Sequence, residues 1–334
     1  MTTIAKATAE WNARRVFVTG ATGFVGSWLV KALIRKGAHV VVLVRDLDHQ
    51  SELVRSGAIR RVTVVNGCLE DYASLERAVN EHEVEIVFHL GAQAIVGAAL
   101  RNPLPTFEAN VRGTYNLLEA CRVHAGLVKA VVVASSDKAY GDHDDLPYTE
   151  NHGLIGRHPY DVSKSCTDLI ATSYHHTYET PVTIARCGNI YGGGDLNWSR
   201  IIPATVRSFL NRERPILRSD GTMVRDYFYV EDAVSAYLAL AEQSGEPGVA
   251  GEAFNFSTEL PVTVNQIVAT VAEVMSVHDL PPVILNTAKA EIKAQELSAK
   301  KARNVLGWSA GHDLHSGLRK TVEWYRAYIE ENRP

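Results

Sequence analysis

The sequence predicts an α/β fold: a doubly wound parallel sheet with helices on both faces, followed by a smaller α/β region. Three observations carry that prediction. Apolar strand-like runs alternate with amphipathic stretches of helical period through the first half of the chain. The runs are continuously apolar, as strands buried on both faces require. A cluster of glycines stands directly between the first run and the first helix.

Taken in order, residues 15–19 read as the first strand and 24–36 as the helix that follows it. Residues 39–45 and 61–65 are the next strands, 72–81 a helix and 86–90 a strand. Residues 106–124 read as a long helix, 129–134 as a strand, 160–178 as a second long helix and 182–186 as a strand. Past Arg186 the pattern loosens. Gly192-Gly193-Gly194 and Pro203 break it, and 225–230 is a further strand candidate. Residues 253–334 hold three helix candidates, 264–275, 296–306 and 314–330. The loop at 141–156 is polar and His-rich, a candidate flap.

The chain has 334 residues, enough for one large domain or two modest ones. Hydrophobic content of 46% and charged content of 22% describe an ordinary soluble globular protein. A net charge of −4 supplies no global basic field, which disfavours nucleic-acid binding. Residues 1–13 have no apolar core of a signal peptide, and no apolar run approaches the roughly 20 residues that span a bilayer. Cys68, Cys121, Cys166 and Cys187 are widely spaced and form no C-x-x-C pair, so reduced thiols in a cytoplasmic protein are expected. The histidines show no metal-ligand spacing, and no metal is expected.

Val16-Phe17-Val18-Thr19 leads into Gly20-Ala21-Thr22-Gly23-Phe24-Val25-Gly26. The spacing is G-x-x-G-x-x-G. Glycines there permit a tight turn and close backbone approach, and the helix N-terminus that follows faces a pyrophosphate. Three glycines alone are a weak signal; between the first strand and first helix of a β-α-β unit they point to a dinucleotide and a Rossmann domain. Gly20, Thr22, Gly23, Phe24, Val25 and Gly26 are the expected phosphate-binding residues. Near the end of the second strand an acidic residue would bind a ribose 2′-hydroxyl. If the strand ends at Val44, that carboxylate is absent and Arg45 can meet a 2′-phosphate, which tilts the reading slightly from NAD to NADP. If the register slips by two, Asp46 serves the hydroxyl; Arg45 as a plain surface residue is the bland alternative. Leu69 backbone and Asp71 are candidates to border the adenine. Leu90-Gly91-Ala92 offers small residues where the middle of the cofactor passes.

Ser135-Ser136-Asp137-Lys138 stands just past the apolar run 129–134, and Tyr160-Asp161-Val162-Ser163-Lys164 opens a helix. Tyr160 and Lys164, four residues apart, share one helix face. A free tyrosine has a pKa of about 10; a nearby lysine and an oxidised nicotinamide would favour the phenolate and lower it. Lys164 can also hold the nicotinamide ribose. By chance such a pair is an aromatic core contact plus a solvated lysine, but the upstream glycine loop and Ser136 favour an acid–base couple. Hydride and proton transfer at one carbon needs only Ser136, Tyr160 and Lys164. Asp137 and Lys138 are surplus, and suggest an elimination on the same substrate, with Asp137 as acid and Lys138 as base. The competing reading is a structural pair.

Over almost its whole length the chain resembles the extended short-chain dehydrogenases/reductases that act on nucleotide sugars. Asn110-Val111-Arg112-Gly113-Thr114, Arg186-Cys187-Gly188-Asn189-Ile190-Tyr191-Gly192 and Arg225-Asp226-Tyr227-Phe228-Tyr229-Val230-Glu231-Asp232 carry the likeness. Ser136-Asp137-Lys138, where most related 4,6-dehydratases carry Thr-Asp-Glu, is similar to the CDP-glucose 4,6-dehydratase branch. So are Gly192-Gly193-Gly194-Asp195 and Arg200-Ile201-Ile202-Pro203. The 225–232 segment is more similar to epimerases and other dehydratases, and Cys68 stands where many relatives have an aspartate; the nucleotide stays open.

The resemblance implies a nucleotide-sugar substrate contacted by Asn189, Arg200 and Arg225. It implies a cofactor domain of residues 1–188, with 226–257 returning to it, and a nucleotide-sugar domain of 189–225 and 258–334. It also implies a homodimer through the helices at 106–124 and 160–178. A nucleotide-sugar 4-epimerase, which lacks the elimination, and a non-catalytic dinucleotide-binding regulator are the competing functions.

Overall fold

In the computed structural model, residues 11–287 and 292–332 are described. The strands are β1 (Arg15–Thr19), β2 (His39–Val44), β3 (Thr63–Asn66), β4 (Ile86–His89), β5 (Ala130–Ala134), β6 (Val182–Cys187), β7 (Asn189–Tyr191), β8 (Ile216–Leu217), β9 (Val224–Arg225), β10 (Tyr227–Tyr229), β11 (Ala253–Phe256), β12 (Val262–Thr263) and β13 (Val283–Ile284). The helices are α1 (Phe24–Arg35), α2 (Glu52–Arg55), α3 (Tyr72–Glu81), α4 (Val96–Arg101), α5 (Leu104–Phe107), α6 (Gly113–Val123), α7 (Pro159–Tyr178), α8 (Ile201–Leu210), α9 (Val230–Glu242), α10 (Val264–Met275) and α11 (Leu314–Glu331).

Seven strands form one sheet in the order β11-β6-β5-β4-β1-β2-β3, and every pairing in it is parallel. The order reverses direction between β1 and β4, where Thr19 stands opposite His89. In open α/β sheets the carboxyl ends of the strands at such a switch point form the ligand crevice. The inner strands are largely apolar because each feeds two cores, whereas the edge strand β3 buries only Val65. Val16, Val18, Val40, Val42 and Val44 face α1 and α9, through Val30, Leu33, Val234 and Leu238. Phe17, Val41 and Leu43 face the other side, with Leu75, Val79, Leu117 and Leu118.

The smaller region has its own core of Tyr191, Ile202, Val206, Leu217, Tyr227, Ile267, Leu318 and Tyr325. It is built on α8, α10, α11 and short strand pairs, β7 with β10, β9 with β12 and β8 with β13.

Three sequence expectations are corrected. The helix expected over 106–124 is interrupted: Glu108–Arg112 form a turn of π-helix between α5 and α6. The expected helix over 296–306 is extended at its start, because Leu297 is buried with Tyr140 and Tyr148; Tyr148 N–H donates to the Glu296 carbonyl at 2.7 Å and Ser298 N–H to the Tyr148 carbonyl at 2.9 Å. The 141–156 loop is pinned rather than poised as a flap. Its Tyr148 ring stacks on Tyr140 at 5.0 Å, and its hydroxyl donates to the Gly141 carbonyl at 2.8 Å.

Candidate active site

The three loop glycines do different work. Gly20 has φ +72°, and a Cβ on it would lie 2.6 Å from Gly91 N, so it closes β1 onto the end of β4. Gly26 is also a packing residue: a Cβ there would lie 2.1 Å from the Gly20 carbonyl oxygen. Gly23 is exposed, meets only that oxygen at 3.1 Å, and has extended backbone at the N-cap of α1. It leaves the first-turn N–H groups of Phe24, Val25 and Gly26 uncapped by any side chain. Thr22, Phe24 and Val25 flank it, half-buried. Those N–H groups could hold the diphosphate of the dinucleotide expected from the sequence.

β2 ends at Val44, so Arg45 stands just past the strand. It is 67% exposed and its Nε donates to Asp46 Oδ2 at 2.6 Å. Asp71 caps α3 by accepting from Ala73 N–H at 3.1 Å. The Leu69 carbonyl accepts from Asn116 Nδ2 at 3.0 Å. Leu90, Gly91 and Ala92 follow β4 at the crevice.

Beneath this crevice lies a buried polar network that sequence reasoning missed. Gly91 N–H donates to Thr19 Oγ1 at 3.1 Å. Thr19 Oγ1 lies 2.8 Å from His89 Nδ1, and His89 Nε2 lies 3.1 Å from Thr114 Oγ1. Thr114 donates onward to the Asn110 carbonyl at 2.5 Å, as Thr167 does at 3.0 Å. Since Thr114 gives its proton to that carbonyl, it accepts from His89 Nε2, which leaves Nδ1 to accept from Thr19. Burial, with the Lys164 cation adding to it, pushes the His89 pKa down to about 3. Asn110 lies in the π-helical turn, and its Nδ2 donates to Ser163 Oγ at 2.8 Å on α7. The network thus ties the switch point to the helix that carries Tyr160.

Ser136 follows β5 and caps the turn Asp137–Tyr140; its Oγ donates to Asp137 Oδ1 at 2.9 Å. Burial pushes the Tyr160 phenol up to about 12; Arg200 opposes the shift, Asp137 adds to it, and the nearby Ser136 side chain opposes it. The sequence predicts a lowering by Lys164 together with an oxidised nicotinamide. Instead Lys164 Nζ donates to the Ala134 carbonyl at 2.8 Å, and burial brings its own pKa down to about 8. Arg200 is the cation that acts on the tyrosine, from the N-cap of α8, where its Nη1 donates to Asp195 Oδ2 at 2.9 Å.

Asp137 is 2% exposed. Its Oδ2 is buried with no hydrogen-bond partner among the described residues. Lys138 Nζ lies 3.8 Å from Asp137 Oδ1 and donates to Gln295 Oε1 at 2.7 Å. Two further buried carboxyls stand nearby. Asp161 is raised by burial, against the pull of Lys138. Asp226 is raised by burial to about 6, opposed by the Ser257 hydroxyl and the Leu297 N–H and reinforced by Asp137. Ser136, Asp137, Lys138, Tyr160 and Arg200 therefore gather in one place.

Asn189 and Arg225 lie on short strands of the smaller region. Asn189 N–H donates to the Asp226 carbonyl at 2.8 Å, and Arg225 Nη1 donates to the Val224 carbonyl at 2.8 Å. Gln295, Asp161 and Asp226 had no role in the sequence reading. Asp161 and Asp226 sit inside motifs already singled out, whereas nothing local marks Gln295.

Residues 16–256 match the model of the NAD dependent epimerase/dehydratase family. The chain belongs to that family. It is 32% identical to the CDP-glucose 4,6-dehydratase of Salmonella typhimurium over 96% of this chain and 92% of that one. It is 28% identical to a putative UDP-glucose 4-epimerase of Methanocaldococcus jannaschii, over 93% and 98%. Among solved structures, the Thermotoga maritima UDP-glucose 4-epimerase with UDP-glucose superposes with a TM-score of 0.86 at 30% identity, over 94% of this chain and 99% of that one. The Streptomyces venezuelae dTDP-glucose 4,6-dehydratase with NAD bound gives 0.84 at 28%, over 95% and 98%. Both dehydratases and epimerases of this family thus share the fold. Among the described residues, no helix is long and apolar enough to cross a membrane.

Proposed function

We propose that the protein is a nucleotide-sugar 4,6-dehydratase of the CDP-glucose type, converting an NDP-hexose to the NDP-4-keto-6-deoxyhexose. The observation that carries this reading is Asp137: a buried carboxyl with one unpartnered oxygen, bonded to Ser136 and close enough to Tyr160 to act on its phenol. A 4-epimerase has no use for an acid there. The Salmonella relative supports the same choice.

A bound nicotinamide dinucleotide supplies the hydride acceptor at C4 and the donor at C6. Gly23 and the N–H groups of residues 24–26 would hold its diphosphate, with Leu69 and Leu90-Gly91-Ala92 along its length. We favour NAD over NADP, because Arg45 is already paired with Asp46. Tyr160 takes the proton of the C4 hydroxyl while Ser136 holds the oxygen, and Lys164 would turn from Ala134 to the ribose. With C4 a ketone, the C5 hydrogen is acidic. Lys138 removes it as Asp137 protonates the departing C6 hydroxyl, so the C6–O bond breaks, a C5–C6 double bond forms and water leaves. Lys138 then returns its proton to C5, and the proton on Tyr160 balances the one given up by Asp137. Asn189, Arg200 and Arg225 are assigned to the nucleotide and diphosphate.

In this reading residues 1–188, with 226–257, serve the cofactor, and 189–225 with 258–334 the sugar nucleotide. The exposed apolar residues of α6 and of the Leu169 face of α7 join two copies in a homodimer. Cys68, Cys121, Cys166 and Cys187 are all free thiols, which suits the cytoplasm. Mass spectrometry after incubation with a panel of nucleotide sugars tests the function: loss of one water supports it, and an isomer of unchanged mass establishes the epimerase instead.

A further inference from the structure

The amine of Lys138 is held by a side chain from the far end of the sequence. Gln295 N–H donates to the Val224 carbonyl at 3.1 Å, beside a bridge between Ala294 and Val224. Immediately afterwards, the backbone of Glu296 and Ser298 pairs with Tyr148. Between these anchors Gln295 is fully buried, and its Oε1 accepts the Lys138 ammonium hydrogen at 2.7 Å. Its Nε2 is buried with no partner among the described residues, as is Asp137 Oδ2. A donor and an acceptor are thus left unsatisfied on the two side chains that flank Lys138, a state that burial makes unfavourable unless a ligand completes it.

We infer that Gln295 is the positioning residue for Lys138: its amide oxygen sets the rotation of the amine, and its amide nitrogen takes an oxygen of the bound sugar. This rests on the dehydratase reading above. The chemistry explains why an amide stands there. A neutral lysine amine that donates to Gln295 has its lone pair turned away from the amide and free to meet the C5 hydrogen. The ammonium already faces Asp137 at 3.8 Å and the carboxyl of Asp161 on α7. A third carboxylate at the Gln295 position would favour the protonated, unreactive form. The amide accepts the same hydrogen bond and adds no charge.

Two variants test this in single turnover, with reduced-nicotinamide absorbance read beside product mass. Gln295→Met keeps the volume and removes the acceptor. It should leave hydride removal from C4 near the wild-type rate and slow water loss about tenfold or more. Gln295→Glu should slow water loss at neutral pH and recover it in alkali, its pH profile displaced upward by about one unit. Wild-type water loss in Gln295→Met, an unmoved profile in Gln295→Glu, or equal losses in both steps would each overturn the inference. If the buried charge prevents Gln295→Glu from folding, Gln295→Met decides, with cofactor binding and melting temperature as its folding controls. Wild-type protein in the same assay separates the two questions: no loss of water from any nucleotide sugar removes the dehydratase reading itself, whatever the variants do.

Discussion

Asp137→Asn keeps the size of the side chain and its bond to Ser136, but it has no acidic proton for the C6 oxygen. Hydride removal from C4 should survive while water loss slows by roughly 10²–10⁴-fold, the usual contribution of a general acid. Tyr160→Phe should abolish both steps, because the C4 proton then has no acceptor. Single-turnover absorbance beside product mass separates the two variants, and wild-type water loss by Asp137→Asn would remove Asp137 as the acid. Arg200 gives a second residue-scale prediction. It is the cation that pulls the Tyr160 phenol down against burial, so Arg200→Met should raise that pKa further. C4 oxidation should then fall about tenfold at neutral pH and recover in alkali. An unchanged pH–rate profile for C4 oxidation would show that Arg200 does not act on the tyrosine.

At the scale of the element, the glycine loop separates binding from packing. Gly23→Val places a branched side chain in the diphosphate cradle, where the protein itself offers only one 3.1 Å contact. It should fold and lose cofactor binding, read by titration. Gly26→Val drives its Cβ into the Gly20 carbonyl and should lower the melting temperature even without cofactor. The His89 network has a pH signature. A histidine whose folded pKa is depressed to about 3 binds its proton more readily when unfolded, so it contributes stability above about pH 6.5 that is lost as pH falls towards 3. His89→Gln should flatten the acid limb of a melting-temperature profile; an unchanged slope would place the acid sensitivity elsewhere.

These elements also show what was legible in the sequence. The leading strands were: burial on both faces writes an unbroken apolar run in β1, β2, β4 and β5, while the edge strand β3 keeps only Val65 buried. The break at Glu108–Arg112 was not: no proline lies within it, and the Asn110 carbonyl there is bonded by Thr167, on a different helix. The 296–306 stretch has helical composition, yet Leu297 is worth more against Tyr140 and Tyr148 than in a helix. β11 is short and lies in the loosened half of the chain. Ser136, Asp137, Tyr160 and Lys164 stand in local motifs, whereas Gln295 reaches Lys138 across 157 positions and has meaning only once the chain is folded.

At the scale of the whole molecule, the helices that form one wall of the site also present apolar surface outward. Tyr115 and Val123 lie two turns apart on one stripe of α6 and are 41% and 51% exposed. Leu169 and Tyr178 on α7 are 60% and 52% exposed, and Leu104 on neighbouring α5 is 65% exposed. Scattered apolar residues need no explanation, but Tyr115, Val123, Leu104 and Leu169 on adjoining helices would suit an interaction face. A two-fold axis between paired α6 and α7 helices would bury the patch against its own copy, the self-complementary arrangement that closed dimers use. The inner side of α7 carries Tyr160 and Lys164, so the dimer would brace the catalytic helix from behind. Light scattering at micromolar concentration should give twice the 36.6 kDa chain mass. Leu169→Glu puts a charge in the centre of that face and should yield a folded monomer with unchanged far-ultraviolet circular dichroism and weakened activity. A wild-type mass of one chain removes the dimer, and a fully active Leu169→Glu monomer removes the link between assembly and the placement of Tyr160.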